Sequence, residues 1–242
     1  MGWNITDSEV LEDAIFELKL KLVQKIGVRP GMSVVDMGCG QGGFTASLAK
    51  TVGKKGRVLA VDVSDEYFAE FMDRLNKHSV NDVVTFIQAD AVNLKDVLPD
   101  KSADMVASYR FLEELKQPKA MPVIVKEMAR IVKVKGRIGI VEMCTEPKNE
   151  AEEGYIRLHR ESGDSLFEPS EIIEAMKAAR LAGIRVEKVE TNIWFSPDLA
   201  KQDLSHAQVW FDADVEKSLG KLIDKYGMKY PLLQIFLGFK SV

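Results

Sequence analysis

Cysteine is scarce. The 242-residue chain has only Cys39 and Cys144, too few and too far apart for a disulfide framework or a zinc site, so a reducing, cytoplasmic setting is expected. No apolar run approaches the roughly 20 residues a membrane helix needs. The acidic opening (Asp7, Glu9, Glu12, Asp13) is the opposite of a secretory signal's basic start, so no membrane span is expected. Basic blocks are missing too: 33 Lys and Arg are scattered among 37 Asp and Glu, for a net charge of −4, which argues against nucleic acid as a partner. Internal repeats, low-complexity tracts and Gly/Ser/Pro-rich linkers are also absent, so a single domain over residues 1–242 is expected. What remains, 46% apolar and 29% charged residues, is the composition of an ordinary globular chain able to bury a substantial core.

Hydrophobic spacing supplies the elements. Thr6 and Glu9 fit a capping box, Leu11, Ile15, Leu18, Leu22 and Ile26 recur at helical spacing, and Gly27 ends the run, so residues 1–29 are expected to form a helical cover. Residues 33–40 read as a buried strand running into glycines, followed by a helix with Phe44, Leu48 and Val52 on one face. The unit repeats with strands at 57–63, 83–90, 103–109 and 137–143, each followed by helical or polar chain. A polar segment then leads to a helix with Pro169 in its first turn and Gly183 at its end, and to a sixth strand at 184–190. After a loop with Trp194 and Trp210 come a helix over 212–226 and a closing strand, PLLQIFLGF. Strands alternating with helices predict a doubly wound, mostly parallel α/β sheet covered on both faces.

The chemistry concentrates where the first strand meets its helix. Asp36-Met37-Gly38-Cys39-Gly40-Gln41-Gly42-Gly43 satisfies both G-x-G-x-x-G and D-x-G-x-G-x-G. Glycines there let the backbone turn tightly and approach a ligand, and the following helix offers unpaired N–H groups at its start. Asp62, 24 residues beyond Gly38, ends the second strand, where a carboxylate can accept from both ribose hydroxyls. Asp90 ends the third, placed to accept from an exocyclic amine. The glycine motif alone permits a nicotinamide dinucleotide, and hence an NAD-dependent oxidoreductase; three acids around one crevice favour another adenosine ligand.

These residues resemble the class I S-adenosylmethionine-dependent methyltransferases. VVDMGCGQGGFTASLA looks like their first motif, VLAVDVSDEYF like the second and FIQADA like the third. FLEELKQP and KEMARIVKVKGRIGIVE are similar to the stretch spanning the fourth and fifth strands in the subgroup that includes the ubiquinone and menaquinone methyltransferases. The resemblance covers about residues 30–143, the expected cofactor-binding core. It implies a Rossmann-like, seven-stranded sheet whose last strand is antiparallel, and S-adenosyl-L-methionine held by Asp36, Gly38, Cys39, Gly40, Asp62, Val63, Asp90, Ala91 and Ser108. Two departures stand out. Val134-Lys135-Gly136 replaces the usual Pro-Gly-Gly, and a helical insertion precedes the last strand.

The implied reaction is in-line displacement at the sulfonium methyl, with much of the acceleration supplied by alignment. A small-molecule acceptor is expected, and Trp194, Phe195, Trp210 and Phe211 would suit an apolar one. Segments 144–168 and 192–230 are expected to supply lid and acceptor pocket. Tyr109, past the fourth strand, and His159, on the polar segment, are the catalytic candidates, with Arg110, Glu142 and Tyr155 nearby. Ser108-Tyr109-Arg110-Phe111 differs from the Asn/Asp-Pro-Pro-Tyr with which relatives methylate amide or adenine nitrogens, and no metal-ligand spacing occurs, so no metal is expected. Besides the oxidoreductase, a cofactor-binding accessory protein and a protein methyltransferase are the alternatives.

Overall fold

The computed structural model describes residues 5–206 and 213–241; Trp210 and Phe211 lie outside the described residues. Parallel strands buried on both faces need continuous apolar sequence, and Ser33–Met37 (β1) is buried at every position. It pairs in parallel with Arg57–Asp62 (β2) on one side and Ala103–Tyr109 (β4) on the other. Val84–Gln88 (β3) flanks β2, and Val132–Met143 (β5) flanks β4. Leu233–Lys240 (β9) then inserts antiparallel between β5 and Leu181–Val189 (β6), giving the order β3-β2-β1-β4-β5-β9-β6. The expected seven strands and antiparallel last strand are both present.

Helices cover the two faces. Ser8–Ile26 (α1) and Gly43–Val52 (α2) pack on one face, joined by Phe68–His78 (α3) against α2; Met121–Ile131 (α4) and Pro169–Ala178 (α6) share the other. The α1 stripe is set by Leu22, Val23 and Ile26, all fully buried. Its cap differs from expectation: Asp7, not Thr6, accepts from Glu9 N–H and Val10 N–H, since an N-cap carboxylate serves two orphan amides at once. Gly183 does not end α6 either. The chain leaves that helix through Arg180 in the left-handed region (φ 59°), and Gly183 lies inside β6 at a register shift, where a Cβ would run into the Phe239 ring. Val134-Lys135-Gly136 bulges out within β5, Lys135 having φ 65°, instead of separating a helix from a strand.

The polar segment after β5 contains Glu150–Glu161 (α5), whose charged face hid an apolar side of Ala151, Tyr155, Ile156 and Leu158. The insertion is also more structured than a loop and one helix. Trp194–Phe195 (β7) pairs with Met228–Lys229 (β8), with Pro197–His206 (α7) and Ala213–Tyr226 (α8) between them. Leu219 and Ile223 of α8 join the core that holds α1, α2 and α5. Among the described residues no helix is long and apolar enough to cross a membrane.

Candidate functional site

The carboxyl ends of five parallel strands open on one crevice, the position at which doubly wound sheets bind ligands. Asp36 near the end of β1 is buried and accepts from Thr45 Oγ1 of α2 at 2.6 Å; burial pushes its carboxyl up to about 7. The chain then turns through Gly38, Gly40 and Gly42, all with positive φ (72°, 45° and 79°). Gly38 is required twice, by its backbone and because a Cβ would strike the Phe111 ring. Above Gly40 a Cβ would meet nothing within 4 Å, so the loop is open there. Gly42 caps α2 without a side chain, leaving first-turn amides free to serve an anion.

Asp62 closes β2. Its Oδ2 accepts from Gly40 N–H of the glycine loop at 2.8 Å and its Oδ1 from Ser64 N–H just past β2 at 3.2 Å, so both oxygens are fixed while each retains lone-pair capacity. Val63 beside it is 66% exposed, and Tyr67 and Phe68 add further exposed apolar surface. Asp90, two residues past β3, is exposed and accepts from Val92 N–H at 3.0 Å, with Ala91 buried beneath. Cys39 is packed against Phe16, Ala46, Ala60, Phe71 and Leu75, and burial raises its thiol far above the range where thiolate forms. Ser108 is fully buried in β4, and its Oγ has no partner.

Beyond β4 the side chains form one network. Tyr109 stacks on Phe44 of α2 (centroids 5.2 Å apart), and its hydroxyl lies 2.5 Å from that of Tyr230. Burial and the neighbouring Tyr230 raise the Tyr109 phenol well above its ordinary value, so it is neutral at physiological pH. Arg110, in the left-handed region at φ 50°, donates to Glu113 Oε1 (2.6 Å), Tyr155 hydroxyl (2.6 Å) and Tyr230 hydroxyl (3.1 Å). Its remaining nitrogen is 3.1 Å from His159 Nε2, and His159 Nδ1 is 2.7 Å from Asp164 Oδ2. Glu113, His159 and Asp164 bring ligand-type atoms within 4.8 Å of one another, but the Arg110 guanidinium already occupies two of the three. Glu142 of β5 holds Phe111 and Leu112 N–H on Oε1 (3.3 and 3.0 Å); its Oε2 is buried without a partner, and burial next to Glu113 pushes the carboxyl up to about 8.

The structure thus lines Asp36, Gly38, Gly40, Asp62 and Asp90 along the strand ends, and gathers Tyr109, Arg110, Glu142, Tyr155 and His159 over β4 and β5. Sequence reasoning missed Tyr230, Glu113 and Asp164. Tyr230 sits 121 residues from the hydroxyl it meets, and no local spacing signals such a pair.

Residues 34–136 match the family model described as a methyltransferase domain. The chain is 26% identical over 181 residues to a sterol 24-C-methyltransferase of Gibberella zeae, covering 74% of this chain and 46% of that protein. It is 32% identical over 136 residues to a ubiquinone/menaquinone biosynthesis C-methyltransferase of Ectopseudomonas mendocina, covering 56% and 51%. The chain spans about half the length of these curated relatives. Among solved structures, a cyclopropane-fatty-acyl-phospholipid synthase-like protein from Lactobacillus casei shares the fold with a TM-score of 0.76 at 16% identity, over 97% of this chain and 94% of that one. With residues 34–136 matching a methyltransferase-domain model and the strand order observed, the motif-bearing core is similar to the S-adenosylmethionine-dependent methyltransferases of class I and shares their fold.

Proposed function

We propose that this protein transfers a methyl group from S-adenosyl-L-methionine to a small-molecule acceptor. The observation that carries the reading is the Gly40–Asp62 pair, a glycine loop left open above and bonded to the carboxylate that ends the next strand. That pair suits an adenosine ribose: the carboxylate is held before the ligand arrives, so little ordering remains to be done on binding. Asp90 and the exposed Val63 border the same end of the crevice and suit an adenine ring, with Ala91 beneath. Asp36, Gly38, Cys39 and Ser108 supply floor and turn rather than reactive groups. The cofactor, when bound, provides a one-carbon electrophile on sulfur, and the remaining work is to exclude water and align an acceptor.

That work falls to the far side of the crevice. Phe44, Tyr109, Tyr155, Phe195 and Tyr230 pack into a largely buried aromatic cluster whose tyrosine hydroxyls gather beside Arg110, an environment that, once the cover opens, suits an apolar ring carrying one polar group. Relatives named for sterol and quinone methylation support an apolar acceptor. Tyr109 presents a neutral hydroxyl to it. His159, held by Asp164, positions Arg110 and is no independent base. Segments 144–168 and 192–230 form the cover, residues 1–242 acting as one domain in a reducing cytoplasm, consistent with the free, buried Cys39 and Cys144.

The test is incubation with methyl-labelled S-adenosylmethionine and a fractionated cell extract. Label in the organic-extractable small-molecule fraction supports the proposal. Label confined to protein overturns the acceptor class, and cofactor binding without transfer to any fraction points to the accessory role.

A further inference from the structure

The crevice occupies the carboxyl ends of the parallel strands. At the opposite end of the sheet, where those strands begin and antiparallel β9 finishes, cations accumulate although the whole chain carries a net charge of −4. Arg29 precedes β1, Arg57 opens β2, Lys101 precedes β4, Lys135 and Arg137 lie in the first half of β5, and Arg180 precedes β6. All six are exposed, and among the described residues none of them makes an ion pair. Asp100 and Asp104, which share this end, are already taken by Arg130 and Lys133, each at 2.6 Å.

Local contacts join these positions into one band. Arg137 Nη1 lies where a Cβ on Gly27 would be only 2.5 Å away, close to Arg29. Lys240 pairs with Leu181, the residue after Arg180, and its Nζ donates to the Arg130 and Val132 carbonyls at 3.3 Å; Lys101 N–H donates to the same Arg130 carbonyl. Burial, Lys101 and Arg130 lower the Lys240 ammonium below its ordinary value against the pull of Asp100, so positive charge prevails there. From β2 to β6 the band runs about 24 Å, given the spacing of neighbouring strands.

Two further observations say what the band meets. Lys101, Lys135 and Arg180 hold left-handed turns (φ 54°, 65° and 59°), a conformation that glycine or asparagine adopts with less strain. Strain accepted three times for the same charge points to a use of that charge. Two apolar side chains also stand among the cations: Val134, 39% exposed, adjoins Lys135, and Phe239, 42% exposed, is the cross-strand partner of Arg137. A phosphate backbone would answer the charge alone. An anionic bilayer answers both, its headgroups meeting the cations while short apolar side chains enter the interface.

We propose that this end of the sheet docks on an anionic lipid surface, with Val134 and Phe239 entering the headgroup region between the cations. Docked in this way, the crevice at the other end of the strands faces the aqueous phase. The docking does not depend on the methyl-transfer reading.

The test is flotation of the full chain with vesicles of phosphatidylcholine alone and of phosphatidylcholine and phosphatidylglycerol in equal parts. Wild type is expected to float with the anionic vesicles only, and less so as salt rises. The triple variant Lys101→Asn, Lys135→Asn and Arg180→Asn removes three charges while keeping residues that accept left-handed turns, so it should melt no lower than wild type and bind roughly a hundredfold more weakly, each cation contributing about fivefold. Lys135→Asn alone should lose about fivefold. Val134→Ser, which keeps every charge, should weaken vesicle binding severalfold and leave binding to a duplex DNA oligonucleotide unchanged. Equal binding to both vesicle types, binding to neither, or full binding by the triple variant overturns the assignment. So does tighter binding to the oligonucleotide than to anionic vesicles, or vesicle binding that Val134→Ser leaves unchanged, since charge alone would then account for the face.

Discussion

Glu142 shows how a single buried carboxyl carries both chemistry and cost. One oxygen holds two backbone amides, the other has no partner, and the carboxyl is pushed up to about 8. Between about pH 5 and 8 the folded chain keeps a proton that the unfolded chain has released, so this group lowers stability as pH rises through that window. Asp36, raised to about 7, acts in the same direction. Glu142→Gln keeps the acceptor oxygen and removes the titration, so its thermal midpoint should fall less between pH 5.5 and 8 than that of wild type; equal slopes would remove Glu142 from the account. Gly38→Ala meets both a positive φ and the Phe111 ring. It should cost at least about 2 kcal/mol, read as a fall in melting temperature of about 4–8 °C. At this scale the sequence was informative where one residue type is demanded locally: Gly38 and Gly40 by their backbone, Asp62 by its distance from them. It was silent on Tyr230, whose hydroxyl meets that of Tyr109 from 121 residues away.

The elements were readable in proportion to how one-sided their burial is. β1 and β4, buried along nearly their whole length, stand out as apolar runs, whereas α5 is mostly charged and reads as loop until its apolar side is set against α8 and β8. A buried ion pair fixes that packing: Lys229 Nζ lies 2.5 Å from Glu152 Oε1, both shielded from solvent, below the Trp194 ring. Removing one partner strands the other, so Lys229→Met should destabilise by about 3–5 kcal/mol, and adding Glu152→Gln should recover part of that loss in denaturant melts. If the double variant is as unstable as the sum of the two single ones, the pair is not coupled. α1 is anchored differently, by apolar contact. Leu22→Ala should cost about 2–5 kcal/mol in denaturant melts.

Across the whole molecule, the proposed cofactor and acceptor regions sit on different parts of one sheet. The cofactor side, β1 to β3 with their loops, is built by contiguous sequence and was legible from residues 30–143. The proposed acceptor side draws on β4, β5, α5, β7 and the residue after β8, so its aromatic cluster exists only after folding. The methyltransferase reading therefore stands first on cofactor recognition at Asp62. The measurement that tests it most directly is calorimetric titration of S-adenosylhomocysteine, with NAD as comparator, into wild type and Asp62→Ala. The account predicts saturable one-to-one binding of S-adenosylhomocysteine to wild type, a loss of at least about tenfold in Asp62→Ala from removing a charged hydrogen-bond acceptor, and no NAD binding. Binding of NAD in its place, or affinity for S-adenosylhomocysteine unchanged in Asp62→Ala, would contradict it.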